Sequence, residues 1–115
     1  MTSYLPYLYL AIAVVFEISG TTALKASDNF SQILPTILMI ASYLCSFFFV
    51  SLVMLYLPVG ITYALWSGLG IVLITVISSY VFKEFPDWPA IIGLAMIIGG
   101  IIVIQLFSKS SNLHG

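Results

Sequence analysis

The chain has 115 residues, a net charge of −1, a hydrophobic fraction of 62% and a charged fraction of only 6%, with a mean hydropathy of +1.20. Soluble domains carry roughly a quarter charged residues, so these values exclude a water-soluble globular domain: it could neither cover its surface nor hide so much apolar area in so small a core. Nucleic-acid binding is excluded as well, because Lys83 alone is no basic patch.

Four apolar stretches follow one another, at about residues 4–24, 33–57, 59–82 and 88–107. A helix rising 1.5 Å per residue crosses a hydrocarbon core of about 30 Å in roughly 20 residues. Backbone groups in lipid must bond within their own segment, so spans of this length are helices. The sequence therefore predicts an all-α membrane protein, with residues 1–108 as one four-helix transmembrane domain and 109–115 as a polar tail holding a solvated His114. The N-terminus does not read as a secretory signal. It lacks a basic leading segment and a clear cleavage site, and its apolar run contains Glu17.

The breaks carry turn chemistry. Lys25, Ala26, Ser27, Asp28 and Asn29 form the first; Leu57, Pro58, Val59 and Gly60 form a very tight second; Lys83, Glu84, Phe85, Pro86 and Asp87 form the third. Asp87 before Trp88 and Pro89 predicts a helix N-cap with proline in the first turn, and Pro35 suits the first turn of the second helix. Such short loops predict antiparallel neighbours. Tyr4, Tyr7, Tyr56 and Trp88 lie near helix ends, where interfacial aromatics belong.

Four spans put both termini and the second loop on one side, and the first and third loops on the other. Lys25 and Lys83 then stand against Lys109 and the terminal amine. So weak a bias fixes little orientation, and dual-orientation insertion is expected. Cys45 has no partner in its chain and reads as a small buried hydrophobe.

Glu17 lies near the middle of the first span. An acid there costs about 2.5–3.5 kcal/mol of insertion energy. A structural ion pair is hard to build for it, since Lys25 is about 12 Å further along the axis and the chain has no arginine. Hydrocarbon disfavours the charged form, so the carboxyl can hold a proton and surrender it to a competing cation. One group serving both ligands in turn is the simplest exchanger.

Its neighbours suit a cation. Ala13, Gly20 and Thr21 share its helix face and leave room beside it. Tyr63 and Trp66, with Ser67 and Gly70, form a stripe on the third helix; Tyr43, Ser46 and Phe47 form another on the second. Aromatic faces attract organic cations, although Phe47, Phe48 and Phe49 read as ordinary packing. Gly68 and Gly70 mark a candidate bend. Gly93 and Gly100, one heptad apart beside Gly99, mark the uncharged fourth helix as an association surface. No nucleophile–base set, metal-ligand spacing or phosphate loop appears, so the chain is not expected to be an enzyme and no metal or organic cofactor is expected.

The segment from Phe16 and Glu17 through Gly20, Thr21 and Lys25, the run Pro-x-Gly-x-x-Tyr-Ala-x-Trp-x-Gly-x-Gly from Pro58 to Gly70, and Pro89 to Gly93 together resemble the small multidrug resistance family of proton-coupled exporters. The match runs over all four helices. The resemblance implies an antiparallel homodimer in the bacterial inner membrane, with helices one to three forming a shared chamber and helix four dimerising. It implies protons as the coupling ion and organic cations as substrates. Glu17 matches the carboxylate that binds proton and substrate in turn. Tyr63 and Trp66 match the site's aromatics, Tyr43 a tyrosine of the multidrug branch, and Lys25 a loop lysine whose role stays open. Guanidinium exporters typically carry tryptophan where this chain has Gly20 and lack the tyrosine at Tyr43; both departures favour quaternary ammonium substrates. A narrower cation (guanidinium, choline, betaine or a polyamine) and a subunit of a heteromeric pair remain open alternatives.

Overall fold

The computed structural model describes residues 4–108. The polar tail 109–115, with Lys109 and His114, lies outside the described residues. Four helices follow in order: α1 (Leu5–Ala26), α2 (Ile33–Val53), α3 (Val59–Val81) and α4 (Trp88–Phe107). All four are long and apolar enough to cross a membrane, and no strand occurs among the described residues.

Local chemistry sets the ends. α1 runs two residues beyond the expected Leu24, so Lys25 sits in its last turn, where a cation complements the helix dipole. Ser27 then closes the helix. Its Oγ donates to the Leu24 carbonyl (2.7 Å) and accepts from the Phe30 amide (3.1 Å), and the side chain is fully buried. The chain reverses through three left-handed residues, Asp28, Asn29 and Phe30. At α4 the sequence expectation holds: Asp87 is the N-cap, and its carboxylate accepts from the Ala90 amide at 3.1 Å.

α2 is shorter than the sequence predicts. It ends at Val53 rather than residue 57, and residues 54–57 form a turn. Pro58 has no amide hydrogen and pushes Leu57 out of helical conformation. Hydropathy cannot see this, because Leu57 remains a core residue: it is 2% exposed and packs with Leu10, Val14, Val53 and Leu65.

Packing is uneven. α1 lies closely along α2 and also against α3, whereas α2 and α3 touch little despite their tight connection. The expectation that sequential helices pack as neighbours thus holds for α1 with α2 and for α3 with α4, but only weakly for α2 with α3. One buried hydrogen bond fastens α1 to α2, from Ser46 Oγ to the Ala13 carbonyl at 2.7 Å. Ser46→Ala is expected to cost about 0.5–1 kcal/mol, the usual range for interhelical bonds in lipid, read from unfolding in mixed detergent micelles. Thr62 is the contrary case. Its hydroxyl is buried with no hydrogen-bond partner among the described residues, so Thr62→Val should leave stability unchanged or raise it by up to about 1 kcal/mol in the same assay.

α4 packs chiefly on α3 and has no buried residue. Gly68 supplies the contact: a Cβ there would lie 2.8 Å from Ile101 Cδ1 and 3.3 Å from Ile97 Cγ2. Gly93 and Gly100 face open space in the single chain. The backbone at Gly68 and Gly70 stays helical, and both glycines serve close approach.

Candidate functional site

The sparse contact between α2 and α3 leaves a cavity of about 450 Å³ between them, floored by α1. Glu17 and Thr21 of α1 open into it, as do Tyr43 and Phe47 of α2. α3 supplies Tyr63, Trp66, Ser67 and Gly70, with Ile71 and Ile74 beyond them. Volumes of a few hundred cubic ångströms are typical of small-molecule sites.

The polar atoms form a chain. Thr21 Oγ1 donates to Glu17 Oε2 at 2.6 Å and lies 2.8 Å from the Tyr43 hydroxyl. A threonine hydroxyl has one hydrogen. With that hydrogen on the carboxylate, the Tyr43 hydroxyl must be the donor to Thr21. When Glu17 is protonated, the same atoms can run in reverse, with Glu17 donating to Thr21 and Thr21 to Tyr43. The chain therefore serves both protonation states without moving a heavy atom. No salt bridge to Glu17 occurs among the described residues, so the carboxylate stays available to an external cation.

Rings line the rest. Tyr43 stacks on Phe47 with centroids 6.3 Å apart, Phe47 meets Trp66 edge-on at 5.8 Å, and Trp66 meets Tyr63 at 6.0 Å. The Trp66 indole nitrogen is buried with no hydrogen-bond partner among the described residues. Tyr63 is 61% exposed, so the cavity is open on its α3 side. An aromatic wall facing one carboxylate attracts a large, weakly hydrated cation: the rings contribute about 0.5–2 kcal/mol each, and the carboxylate supplies the charge.

Of the residues singled out in the sequence, Glu17, Thr21, Tyr43, Tyr63 and Trp66 come together at the cavity. Ala13 and Gly20 do not line it. Ala13 is fully buried under Ser46. Gly20 lies under the Tyr43 ring, where a Cβ would fall 2.7 Å from Cδ1. It makes room for Tyr43 rather than for a ligand, and the two sequence departures noted above become one feature: the tyrosine ring occupies the space that a large residue at position 20 would need. Phe47, expected to be ordinary packing, belongs to the wall. Its spacing of four from Tyr43 was the available signal. Ile71 and Ile74 offered none, since apolar residues in an apolar helix look alike. Ser46, placed on the same stripe as Tyr43, instead ties α2 to α1.

Lys25 lies outside the cavity. Its Nζ pairs with Glu84 Oε2 at 3.0 Å, joining the end of α1 to the third loop.

Comparison with known proteins gives a consistent result. A sequence model described as Small Multidrug Resistance protein matches residues 5–97. A multidrug transporter of Pseudomonas aeruginosa is 49% identical over 92% of this chain and 96% of its own length. The quaternary ammonium compound-resistance protein QacH of Staphylococcus saprophyticus is 45% identical over 92% of this chain and 99% of its own. The multidrug transporter EmrE of Escherichia coli is 42% identical over 92% and 96%.

Proposed function

Because this chain belongs to the Small Multidrug Resistance family, and so is a multi-pass transporter of the bacterial inner membrane and not an enzyme, we propose that it is a proton-coupled antiporter exporting quaternary ammonium and other hydrophobic organic cations. One observation carries the reading: Glu17 is the single acid within the four helices, it has no basic partner among the described residues, and it faces an aromatic cavity. Protonated, the carboxyl is neutral and tolerable in hydrocarbon. Ionised, it pairs with a cation held by Tyr43, Phe47, Tyr63 and Trp66. The two ligands exclude each other because they claim the same oxygens. A cation enters only as a proton leaves, and binding on one side with release on the other exchanges them across the membrane.

The open side of the cavity and the unburied α4 support an antiparallel homodimer as the working unit. A second copy inserted the other way round would close the chamber and bring a second Glu17 to it, giving the inverted repeat on which transporters rely. Gly93 and Gly100 on α4 would admit the partner helix closely. The weak lysine bias permits both orientations.

Purified protein in liposomes with an imposed inside-acidic gradient should accumulate tetraphenylphosphonium, and a protonophore should abolish the accumulation. Uptake that ignores the gradient would overturn the coupling. Accessibility mapping of a C-terminal tag should find both orientations in one membrane; a single orientation would overturn the antiparallel pair.

A further inference from the structure

A second pocket of about 330 Å³ adjoins the Glu17 cavity and shares Thr21 and Ile74 with it as walls. It opens where the end of α1 meets the third loop. Its components repeat the chemistry of the main site on a smaller scale. Glu84 supplies a carboxylate, Phe82 an aromatic ring, Ser78 a hydroxyl, and Leu24 an apolar side. It also contains a cation: the Lys25 ammonium lies 3.0 Å from Glu84 Oε2 and 6.0 Å from the Phe82 ring centroid. The ammonium is thus bound by an acid and a ring, as the main site would hold its cargo.

Resting on the reading of Glu17 as the cargo carboxylate, we propose that this pocket is a vestibule site for organic cations, at which Lys25 is a tethered occupant that incoming cargo displaces from Glu84. Lys25 and Glu84 are 58% and 52% exposed. A pair so exposed contributes little, and its exchange leaves no buried charge stranded. A hydrophobic cation gains what the lysine stem cannot: apolar contact with Leu24, Ile74 and Phe82. From there Thr21 leads inward to Glu17, one helical turn away on the same face. The Lys25 ammonium, once released, stays tethered beside the mouth and returns to Glu84 after the cargo has moved on. In an antiparallel pair the two copies would place one such vestibule at each membrane surface.

The test uses full-length protein in lipid nanodiscs and tetraphenylphosphonium as the probe, with empty nanodiscs subtracted. In the Glu17→Gln background the central site is lost and a weak, saturable component should remain. Adding Glu84→Gln should remove that component. Adding Lys25→Met, which keeps the apolar stem and deletes the competing ammonium, should tighten it roughly two- to fivefold, the range set by an exposed ion pair. The opposite signs are the discriminating feature. If both substitutions weaken binding alike, the pair is only a structural tie; if neither changes it, or no residual component exists, the vestibule is absent. Each of these results overturns the proposal. Failure of the parent reading looks different: Glu17→Gln alone would then retain full affinity and coupled transport.

Discussion

Glu17→Gln is expected to reduce proton-driven cation uptake in liposomes to the level of protein-free vesicles, a loss on the order of a hundredfold or more. Glutamine keeps the shape of the side chain, and its carbonyl oxygen can still accept from Thr21 Oγ1, which donates to Oε2 at 2.6 Å in the parent. Folding and insertion should therefore survive, and insertion should gain, since a charged group at membrane depth costs about 2.5–3.5 kcal/mol. What disappears is the negative charge and the exchangeable proton together. Leaving a buried cation without its partner costs about 3–5 kcal/mol, which is a factor of roughly 10² to 5 × 10³ in affinity. Glu17→Asp should behave differently. It retains the charge but draws it back by one methylene from Thr21, so exchange should persist at reduced affinity. Gradient-driven uptake by the glutamine variant at more than a tenth of the parental rate would contradict the account.

The second large effect should come from a residue with no functional group. A Cβ added at Gly70 would collide with Glu17 Oε1. The struck atom ends a flexible side chain, so the helices need not part; the carboxylate simply turns away. Alanine also favours the helix over glycine by up to about 1 kcal/mol. Gly70→Ala should thus leave thermal stability unchanged or slightly higher while cation affinity falls roughly tenfold to a hundredfold. That range corresponds to the about 1.5–3 kcal/mol of a hydrogen bond to a charged group, here the one from Thr21. Gly68→Ala is the matched control. Its Cβ would meet Ile101 Cδ1 at 2.8 Å, on the α4 side and away from Glu17. It should alter α3–α4 packing and leave affinity within about threefold. Calorimetric titration of both variants with tetraphenylphosphonium separates them. Parental affinity in Gly70→Ala would refute the claim that this glycine exists to seat the carboxylate.

The contrast between these two glycines shows where sequence reading stops. Both stood out as interruptions of an apolar helix, and a bend was the natural expectation. Their separate uses depend on what lies opposite, Glu17 for one and Ile101 for the other, and no local pattern carries that. Gly20 is similar: its position beside Glu17 was legible, but the Tyr43 ring lying on it was not. The four spans were legible because lipid imposes length and hydropathy directly on the chain. Glu17 was legible because a charge there contradicts its surroundings, and Tyr43, Tyr63 and Trp66 because aromatics with polar tips stand out among aliphatic residues. Phe47 failed that criterion, having no polar tip, and emerged only when the ring of Trp66 was found against it. The end of α2 was misplaced by four residues, because Leu57 is buried in a turn as deeply as it would be in a helix. The Lys25–Glu84 pair joins the end of α1 to the third loop, almost 60 residues apart in sequence, a proximity that only the packing of α1 against α3 creates.

The central claim is that one carboxylate gives up its proton when the cation arrives. It is tested most directly by adding tetraphenylphosphonium to purified protein in weakly buffered solution and recording proton release with a pH indicator. The account predicts that binding releases protons from the parent protein and that Glu17→Gln releases none. Cation binding to the parent without proton release, or undiminished release from the glutamine variant, would contradict it.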